Sequence, residues 1–285
     1  MSARTTVGRA GALGSQVSLG VWFVLPLIPI LLWATARSWT FPRTLPEEWG
    51  FAGAADALAD GAASAFVSSL ILGLVTAALA TPAGAMAAYA LAFGRIRHHR
   101  RISLLLLAPV FVPPFVIVMG ANVALLRLHV PPSVGLALVL MVTAIPYTTF
   151  IMRSAFASYD TRIEEDARTL GASPGHVLLH IRIPMLSRAI TASAFLAFLV
   201  GWSDYVITLL IGGGAFVTVP IRVAAAASGT GNEALVAALS VAAAAPPLLL
   251  LLTLNMMSRH RTSSPRETAE PSAFTPSSPV IGARI

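Results

Sequence analysis

The chain has 285 residues, of which 56% are hydrophobic and only 11% are charged, with a net charge of +7 and a mean hydropathy of +0.79. Soluble domains contain about 45–50% apolar and about 25% charged residues, so the composition excludes an ordinary soluble domain and predicts a membrane protein. The chain also lacks cysteine, which excludes disulfides, thiolate metal sites and a cysteine nucleophile.

Six apolar segments are long enough to cross a bilayer, whose hydrocarbon core of about 30 Å requires about 20 apolar residues in a helix. Lipid offers no partner for backbone polar groups, so each segment is expected to be helical. None shows the alternation typical of barrel strands. The sequence therefore predicts an all-α integral membrane protein with six transmembrane helices. These are predicted at 17–36, 64–93, 102–126, 133–152, 190–211 and 235–257.

The arginines determine the predicted orientation, because cytoplasmic loops carry an excess of positive charge. All basic residues are arginine, and all but four of the 19 lie in the N-terminus, the loops after the second and fourth segments, and the tail. The other side of the membrane would hold only Arg37, Arg43, Arg127 and Arg222. Both termini are therefore predicted to be cytoplasmic.

This orientation divides the chain into three regions. Residues 1–16 form a cytoplasmic N-terminus, residues 17–258 the six-helix domain, and residues 259–285 a tail rich in Ser, Pro and Thr that we expect to be disordered. The first apolar segment exceeds the 7–15 residues or so of a signal peptide's apolar region, so we expect it to remain uncleaved.

The loop at 157–188, between the fourth and fifth segments, reads as two short helices on the cytoplasmic side. Asp160 is positioned to cap the first helix, and Gly171 to end it in the left-handed conformation. Ser173 is expected to cap the second helix, with Pro174 at its first position. Such a compact, amphipathic pair is typical of a surface that docks a partner.

The same loop resembles the "EAA" loop of ABC importer permeases of the binding-protein-dependent type, written E-A-A-x3-G-x9-I-x-L-P. The spacing matches throughout, and the residues differ from the pattern at Asp166 and Ile183, where the family has Ala and Leu. The resemblance covers about 64–258. The matching positions are Glu165, Asp166, Ala167, Gly171, Ile181, Ile183 and Pro184.

This resemblance implies the type I ABC importer permease fold and a permease that has no enzymatic activity of its own. In the family this loop couples the permease to an ATPase, so 165–171 would transmit ATP-driven closure to the membrane helices. The implied partners are an ATP-binding cassette ATPase dimer, a second permease subunit, identical or different, and an extracytoplasmic substrate-binding protein. The implied location is the bacterial cytoplasmic membrane, where the chain passes the lipid bilayer several times.

Polar residues inside the apolar segments are costly and are therefore candidates for a substrate pathway. Asp204 would lie about 22 Å deep, beyond the membrane midplane, where it could attract a cation or instead hold helices together. Its neighbours Trp202 and Tyr205 and the more distant Asn122 are further candidates, although an asparagine in a span often only joins helices.

The stretch around Asp204 also resembles permeases for polyamines, ferric iron and thiamine, in which an acidic and an aromatic residue precede Val-Ile-Thr and a glycine pair. Here these are Asp204, Tyr205, 206–208 and 212–213. The resemblance favours a polyamine or a similar small cation as the substrate. A carbohydrate permease is the alternative, because sugar permeases share the acidic position.

Other chemistry finds little support in the sequence. There is no G-x-x-x-x-G-K-[ST] motif, so we expect no bound cofactor and assign ATP to the partner subunit. His176 and His180 are spaced like a metal-binding pair, but no metal site is expected, since the zinc-protease Glu is missing. The basic tract 95–101 indicates contact with anionic lipid and not a nucleic-acid site. A membrane enzyme would need clustered polar residues at one face, and a channel working alone would leave the loop unexplained.

Overall fold

In a computed structural model, the described residues are 18–260 apart from 23, 41, 95 and 96. The predicted cytoplasmic N-terminus, residues 1–16, and nearly all of the predicted tail therefore lie outside the described residues. By backbone proximity the chain divides into Met1–Pro247 and Leu248–Ile285. The helical bundle and the sites discussed below belong to the first unit.

The described chain is mostly helical, as the sequence predicts, with one short antiparallel pair of strands that aligns Ala36 with Trp49. From the N-terminus to the middle of the chain, the elements are α1 (Leu27–Ala34), β1 (Ala36–Ser38), β2 (Glu48–Trp49), α2 (Ala52–Ala59), α3 (Ala62–Phe93), α4 (His99–Phe111), α5 (Pro114–Arg127) and α6 (Pro132–Ala157). The remainder are α7 (Arg162–Thr169), α8 (Pro174–Val177), a π-helical turn (Leu178–Arg182), α9 (Ile183–Met185), α10 (Ser187–Ser203), α11 (Val206–Gly212), α12 (Val219–Ala227) and α13 (Glu233–His260).

Three helices are long and apolar enough to cross a membrane by themselves: α3, α6 and the stretch of α13 from Glu233 to Leu254. Two pairs of consecutive helices, each with a sharp bend between its members, also meet these criteria if each pair is counted as one span. This raises the number of candidate spans in the described chain to as many as five. The first predicted segment, 17–36, is interrupted by a turn at 25–26 and ends in β1. The sixth span therefore remains a prediction.

The third and fifth predicted segments are not single straight helices. The third is divided into α4 and α5, which meet at 101°. Val112 and Pro113 at the break are both extended, with ψ 131°, because a residue that precedes proline is disfavoured in the helical region. The fifth ends as a helix at Ser203 and resumes at Val206, so the residue expected within a helix, Asp204, instead occupies a break.

The core of the bundle consists of α3, α6 and α10, which approach closely because small residues occupy the contacts. The buried Ala80, Ala144 and Ala197 form one cluster between the three helices. At Gly201 an added Cβ would lie 2.5 Å from the hydroxyl of Thr76. In lipid the hydrophobic effect does not drive helices together. Small residues instead let the helix backbones approach closely enough for favourable van der Waals packing.

Two arrangements fix opposite ends of this bundle. At one end, the Ser69 hydroxyl accepts a hydrogen bond from the Val219 backbone N–H at 2.9 Å, which attaches the start of α12 to α3. At the other end, an apolar cluster of Ala88, Met152, Phe156 and Leu186 joins the last turns of α3 and α6 to the start of α10. We call this second end the loop end, because it carries the loop 157–188.

Candidate functional site

The loop at the loop end contains the two short helices that the sequence predicts. Asp160 is not the capping residue that the sequence predicts, because Thr161 occupies the N-cap position of α7 and makes no side-chain cap. The Asp160 carboxylate instead accepts the Arg162 backbone N–H at 3.0 Å just before the helix. Gly171 follows α7 with φ +89°, a conformation that side-chain-bearing residues rarely adopt. Ser173 caps α8 by accepting the His176 backbone N–H at 3.3 Å, and Pro174 is the first residue of that helix.

The second helix departs from the expected geometry after Val177, where the chain forms a π-helical turn over Leu178–Arg182. Pro184 explains this turn. It has no N–H to donate to the carbonyl of His180, and its ring would collide with that carbonyl in a regular α-helix. A π-turn widens the helix at this point, and such turns are frequent at functional sites.

An apolar surface remains open on this loop within the described chain. Ile163 in α7 is 44% exposed, and Leu170, the residue that ends this helix, is 89% exposed. An open groove of about 520 Å³ runs between α7 and α8 and is lined by Leu170, Gly171, His176 and Ile181 among others. Two helices this short have no apolar core of their own, so the surface is suited to burial against a partner. We therefore call the loop 157–188 the docking loop.

The residues that match the EAA pattern are distributed around this groove. Ala167 and Ile181 are half-buried and line it. Four others are exposed at the surface of the loop: Glu165, Asp166, Ile183 and Pro184. Gly171 has open space around its α-carbon, with no atom within 4 Å of an added Cβ.

The central residue of the loop is Glu164, which the sequence analysis did not single out. It is only 4% exposed. Arg182 binds its carboxylate through two parallel hydrogen bonds, from Nε to Oε1 at 2.7 Å and from a terminal nitrogen to Oε2 at 2.6 Å. The Tyr159 hydroxyl donates to Oε1 at 2.6 Å, and Arg168 reaches Oε2 at 3.3 Å.

These contacts fix the charge states of the group. The hydrogen bond from Arg182 lowers the pKa of Glu164 and offsets the opposing effect of burial. The hydrogen bond to Glu164 in turn raises the pKa of Arg182. Burial, followed by the hydrogen bond to Glu164, raises the pKa of Tyr159 to about 12. At neutral pH the site therefore contains a carboxylate, a guanidinium and a neutral phenol.

Arg182 also contacts the bundle itself. Its guanidinium carbon lies 4.4 Å from the centre of the Tyr89 ring, within the range of a cation–π interaction. A terminal nitrogen is 3.4 Å from the Tyr89 hydroxyl. We call Tyr89, Tyr159, Glu164 and Arg182 the Glu164 cluster. The sequence marks these residues only by an arginine between two isoleucines and by a second glutamate next to Glu165, and neither feature shows that the two residues pair.

On the predicted pathway, Asp204 lies in the break between α10 and α11. Its Oδ2 accepts the Thr208 backbone N–H at 2.8 Å and the Thr208 hydroxyl at 2.9 Å. Among the described residues, no arginine or histidine forms an ion pair with it. The Asp204 carboxyl group therefore organises the start of α11 and has no ion-pair partner among the described residues.

The other three pathway candidates are found in different surroundings. Trp202 is 3% exposed and donates from its indole N–H to the Ala243 carbonyl at 2.9 Å, so it attaches α10 to α13. The Asn122 side-chain amide donates to the Leu210 carbonyl at 3.4 Å and links α5 to α11. Tyr205, beside Asp204, is 39% exposed. Only Asp204 and Tyr205 are thus brought together at the break.

The two histidines of the docking loop pair with each other. The His176 and His180 rings stack with their centres 4.2 Å apart. In the portion of the chain that the structure describes, no group of three or more His, Cys, Asp or Glu residues is arranged to hold a metal ion.

Comparison with known proteins gives a family match over most of the chain. Residues 7–261 match the family model for the binding-protein-dependent transport system inner membrane component. This range contains both the docking loop and the break at Asp204.

Individual relatives differ in what they transport. The chain is 27% identical to the diacetylchitobiose uptake system permease protein of Streptomyces coelicolor over 69% of this chain and 68% of the relative. It is 31% identical to the putrescine transport system permease protein of Escherichia coli over 58% of this chain and 61% of the relative. It is also 29% identical to the spermidine/putrescine transport system permease protein of Haemophilus influenzae over 56% and 62%. The alignments thus cover about two thirds of these relatives.

Solved structures share the fold. A bacterial ABC transporter involved in the import of the acidic polysaccharide alginate matches with a TM-score of 0.64 at 16% identity, over 90% of this chain and 98% of the other. A bacterial alginate ABC transporter in complex with an alginate pentasaccharide-bound periplasmic protein matches with a TM-score of 0.63 at 13% identity, over 93% and 99%. At these identities the likeness concerns the fold alone.

Proposed function

Because this chain belongs to the family of binding-protein-dependent transport system inner membrane components, we propose that its docking loop receives the ATPase of an ABC importer and that the break at Asp204 lines the path of the solute. The chain is an ABC importer permease and not an enzyme. ATP is bound by the partner ATPase, and this subunit needs no cofactor. A second permease subunit completes the pathway in the type I arrangement.

The open apolar groove of the loop supports the docking proposal. Leu170, at the C-terminal end of α7, has 89% of its surface exposed although it is apolar. A partner groove that covers Leu170 and Ile163 would remove this surface from water and stabilise the complex by about 25 cal/mol for each Å² buried. The exposed Glu165 and Asp166 lie next to this surface and supply polar contacts at its edge.

Gly171 provides the test of this docking role, because its φ of +89° orients α8 relative to α7. We expect Gly171→Asp to insert normally into the membrane but to lose association with the ATPase, and with it uptake. A side chain at this φ costs about 1 kcal/mol or more and displaces α8. The measurement is co-purification of the ATPase with the permease.

Gly175→Asp is the matched control. Gly175 also has nothing within 4 Å of an added Cβ, but its φ is not positive, and an acidic residue is favourable in the first turn of a helix. This variant should retain the ATPase. Equal retention by both variants would contradict the docking role of the loop.

For the solute, we propose a polyamine or a similar small cation. The supporting observation is Asp204, a carboxylate in a membrane segment with no ion-pair partner among the described residues. A carbohydrate is the second candidate, because the relatives include a diacetylchitobiose permease as well as putrescine permeases. Uptake of labelled putrescine and of labelled diacetylchitobiose into vesicles containing the whole importer distinguishes the two.

The proposed setting is the bacterial cytoplasmic membrane, with the loop end of the bundle in the cytoplasm. An extracytoplasmic binding protein would deliver the solute to the opposite end, where α12 is attached to α3. One of the structural neighbours is a transporter in complex with a periplasmic protein, which supports such a partner for this chain.

A further inference from the structure

We propose that the Glu164 cluster is the mechanical link that makes the docking loop and the bundle move together, with Glu164 and Arg182 as its positioning residues. This inference rests on the proposed function, since it concerns how movement at the ATPase reaches the pathway. Tyr89, Tyr159 and Glu164 lie outside the EAA pattern, and Arg182 occupies the position x in its I-x-L-P end, where the pattern specifies no residue.

Four elements converge on the cluster, each contributing one side chain. Glu164 belongs to α7, and Tyr159 follows the end of α6. Tyr89 belongs to the last turns of α3. Arg182 ends the π-helical turn, four residues before Leu186, which is buried in the apolar cluster of the loop end. The Glu164 cluster therefore joins α7 to α3, to the residues that follow α6 and to the segment that leads into α10.

Burial makes this link behave as a unit. The Glu164 side chain is 6% exposed and the Arg182 side chain 18%. If α7 moved away from Arg182, a desolvated carboxylate would lose its counter-charge, and breaking a buried pair in this way is strongly unfavourable. A displacement of α7 is therefore passed to Arg182 and onward to α10, because moving both segments together keeps the two hydrogen bonds between Arg182 and Glu164 intact.

The geometry of the Glu164–Arg182 pair also fixes how the two side chains are oriented relative to each other. Two parallel hydrogen bonds between a guanidinium and a carboxylate fix both distance and orientation. Stacking against Tyr89 holds the guanidinium plane from the side of α3. By contrast, Arg168 contacts the same carboxylate but is 51% exposed, so solvent screens its contribution.

The test uses Arg182→Lys, which keeps the positive charge but removes the bidentate and planar contacts. Ser203, an exposed residue at the far end of α10, is changed to cysteine as a reporter in this naturally cysteine-free chain. The complete importer, reconstituted in vesicles, is treated with a maleimide with and without ATP and orthovanadate. The ratio of the two labelling rates at position 203 measures how much of the ATP-driven movement arrives there.

We expect Arg182→Lys to retain the ATPase and its basal ATP hydrolysis, while the ATP-dependent change in labelling falls by about tenfold, within the usual range of coupling between distant sites. Glu164→Gln, which keeps the size of the side chain, should have the same effect. Arg153→Lys is the matched control. Arg153 lies near the end of α6, and its one side-chain hydrogen bond to a described residue is a 3.5 Å contact with Ser103, so its exchange should leave the labelling change intact.

Two results would overturn the link. Loss of ATPase association in Arg182→Lys and Glu164→Gln would mean that the cluster only shapes the docking surface. An undiminished ATP-dependent change in labelling would mean that movement travels by another route. Failure of the proposed function is recognised separately, because the importer with the natural Arg182 would then show neither ATPase association nor ATP-driven uptake.

Discussion

Asp204 shows how one side chain serves both the fold and the proposed pathway. Its Oδ2 holds the start of α11 through the N–H and hydroxyl of Thr208. Asp204→Asn keeps an acceptor oxygen for both bonds but removes the charge. We therefore expect an assembled importer whose putrescine uptake falls by about tenfold, which corresponds to roughly 1.4 kcal/mol.

Thr208→Val is the control for this prediction, because it removes one hydrogen bond and leaves the charge of Asp204 in place. It should reduce uptake much less than Asp204→Asn. If Asp204→Asn instead prevents assembly, the carboxylate serves the fold only. Equal putrescine uptake by Asp204→Asn and the natural chain would remove Asp204 from the pathway.

Residues whose roles are local could be predicted from the sequence, and residues whose partners are distant could not. Gly171 and Ser173 follow from rules that concern three or four neighbouring residues, and their predicted conformation and capping are confirmed. Glu164 and Arg182 are 18 residues apart and meet only because the turn at Gly171 reverses the chain. No periodic pattern marks such a pair, so the sequence indicated the outer surface of the loop and missed its internal ion pair.

At the scale of elements, the close contact between α3 and α6 depends on Gly84. The backbone of α6 at Thr149 is 2.9 Å from the position of an added Cβ, and the Thr148 side chain is closer still. Gly84→Ala should therefore push the two helices apart and destabilise the protein by about 1–3 kcal/mol. Thermal unfolding of the purified permease in detergent measures this loss.

Gly120→Ala is the matched control for the packing prediction. Gly120 lies in α5 with nothing within 4 Å of an added Cβ, and alanine favours helix over glycine by about 0.8–1.0 kcal/mol. This variant should unfold at the same temperature as the natural chain or at a higher one. A tolerant Gly84→Ala would show that α3 and α6 are not held by this contact.

The length of an apolar segment predicted where a helix lies better than it predicted where that helix bends. The segments at 64–93 and 133–152 correspond to α3 and α6, each of which continues through one internal proline. The segment at 102–126 breaks at the adjacent prolines 113–114, where Val112 and Pro113 are both extended, whereas the adjacent prolines 246–247 lie inside the continuous helix α13. Hydropathy alone does not register this break, because the residues on either side are equally apolar.

At the scale of the whole molecule, the arginine distribution and the length of α3 both predict that the two ends of this helix lie on opposite sides of the membrane. Helix α3 has 32 residues, about 48 Å at 1.5 Å per residue, which exceeds the hydrocarbon core of about 30 Å. Residues before α3 and after it must then lie on opposite sides of the membrane if α3 spans it. The predicted topology assigns Arg43 to the outside and Arg97 to the cytoplasm.

Reporter fusions at these two positions test the topology. Alkaline phosphatase is active only outside the cytoplasm, so a fusion at Arg43 should be active and one at Arg97 inactive. A green fluorescent reporter, which needs the cytoplasm to fold, should give the opposite result at the same positions and serves as the internal control. Activity of the same reporter at both positions would refute the six-span topology. The side of the membrane on which the docking loop lies would then also have to be determined again, because α4, α5 and α6 separate the loop from Arg97.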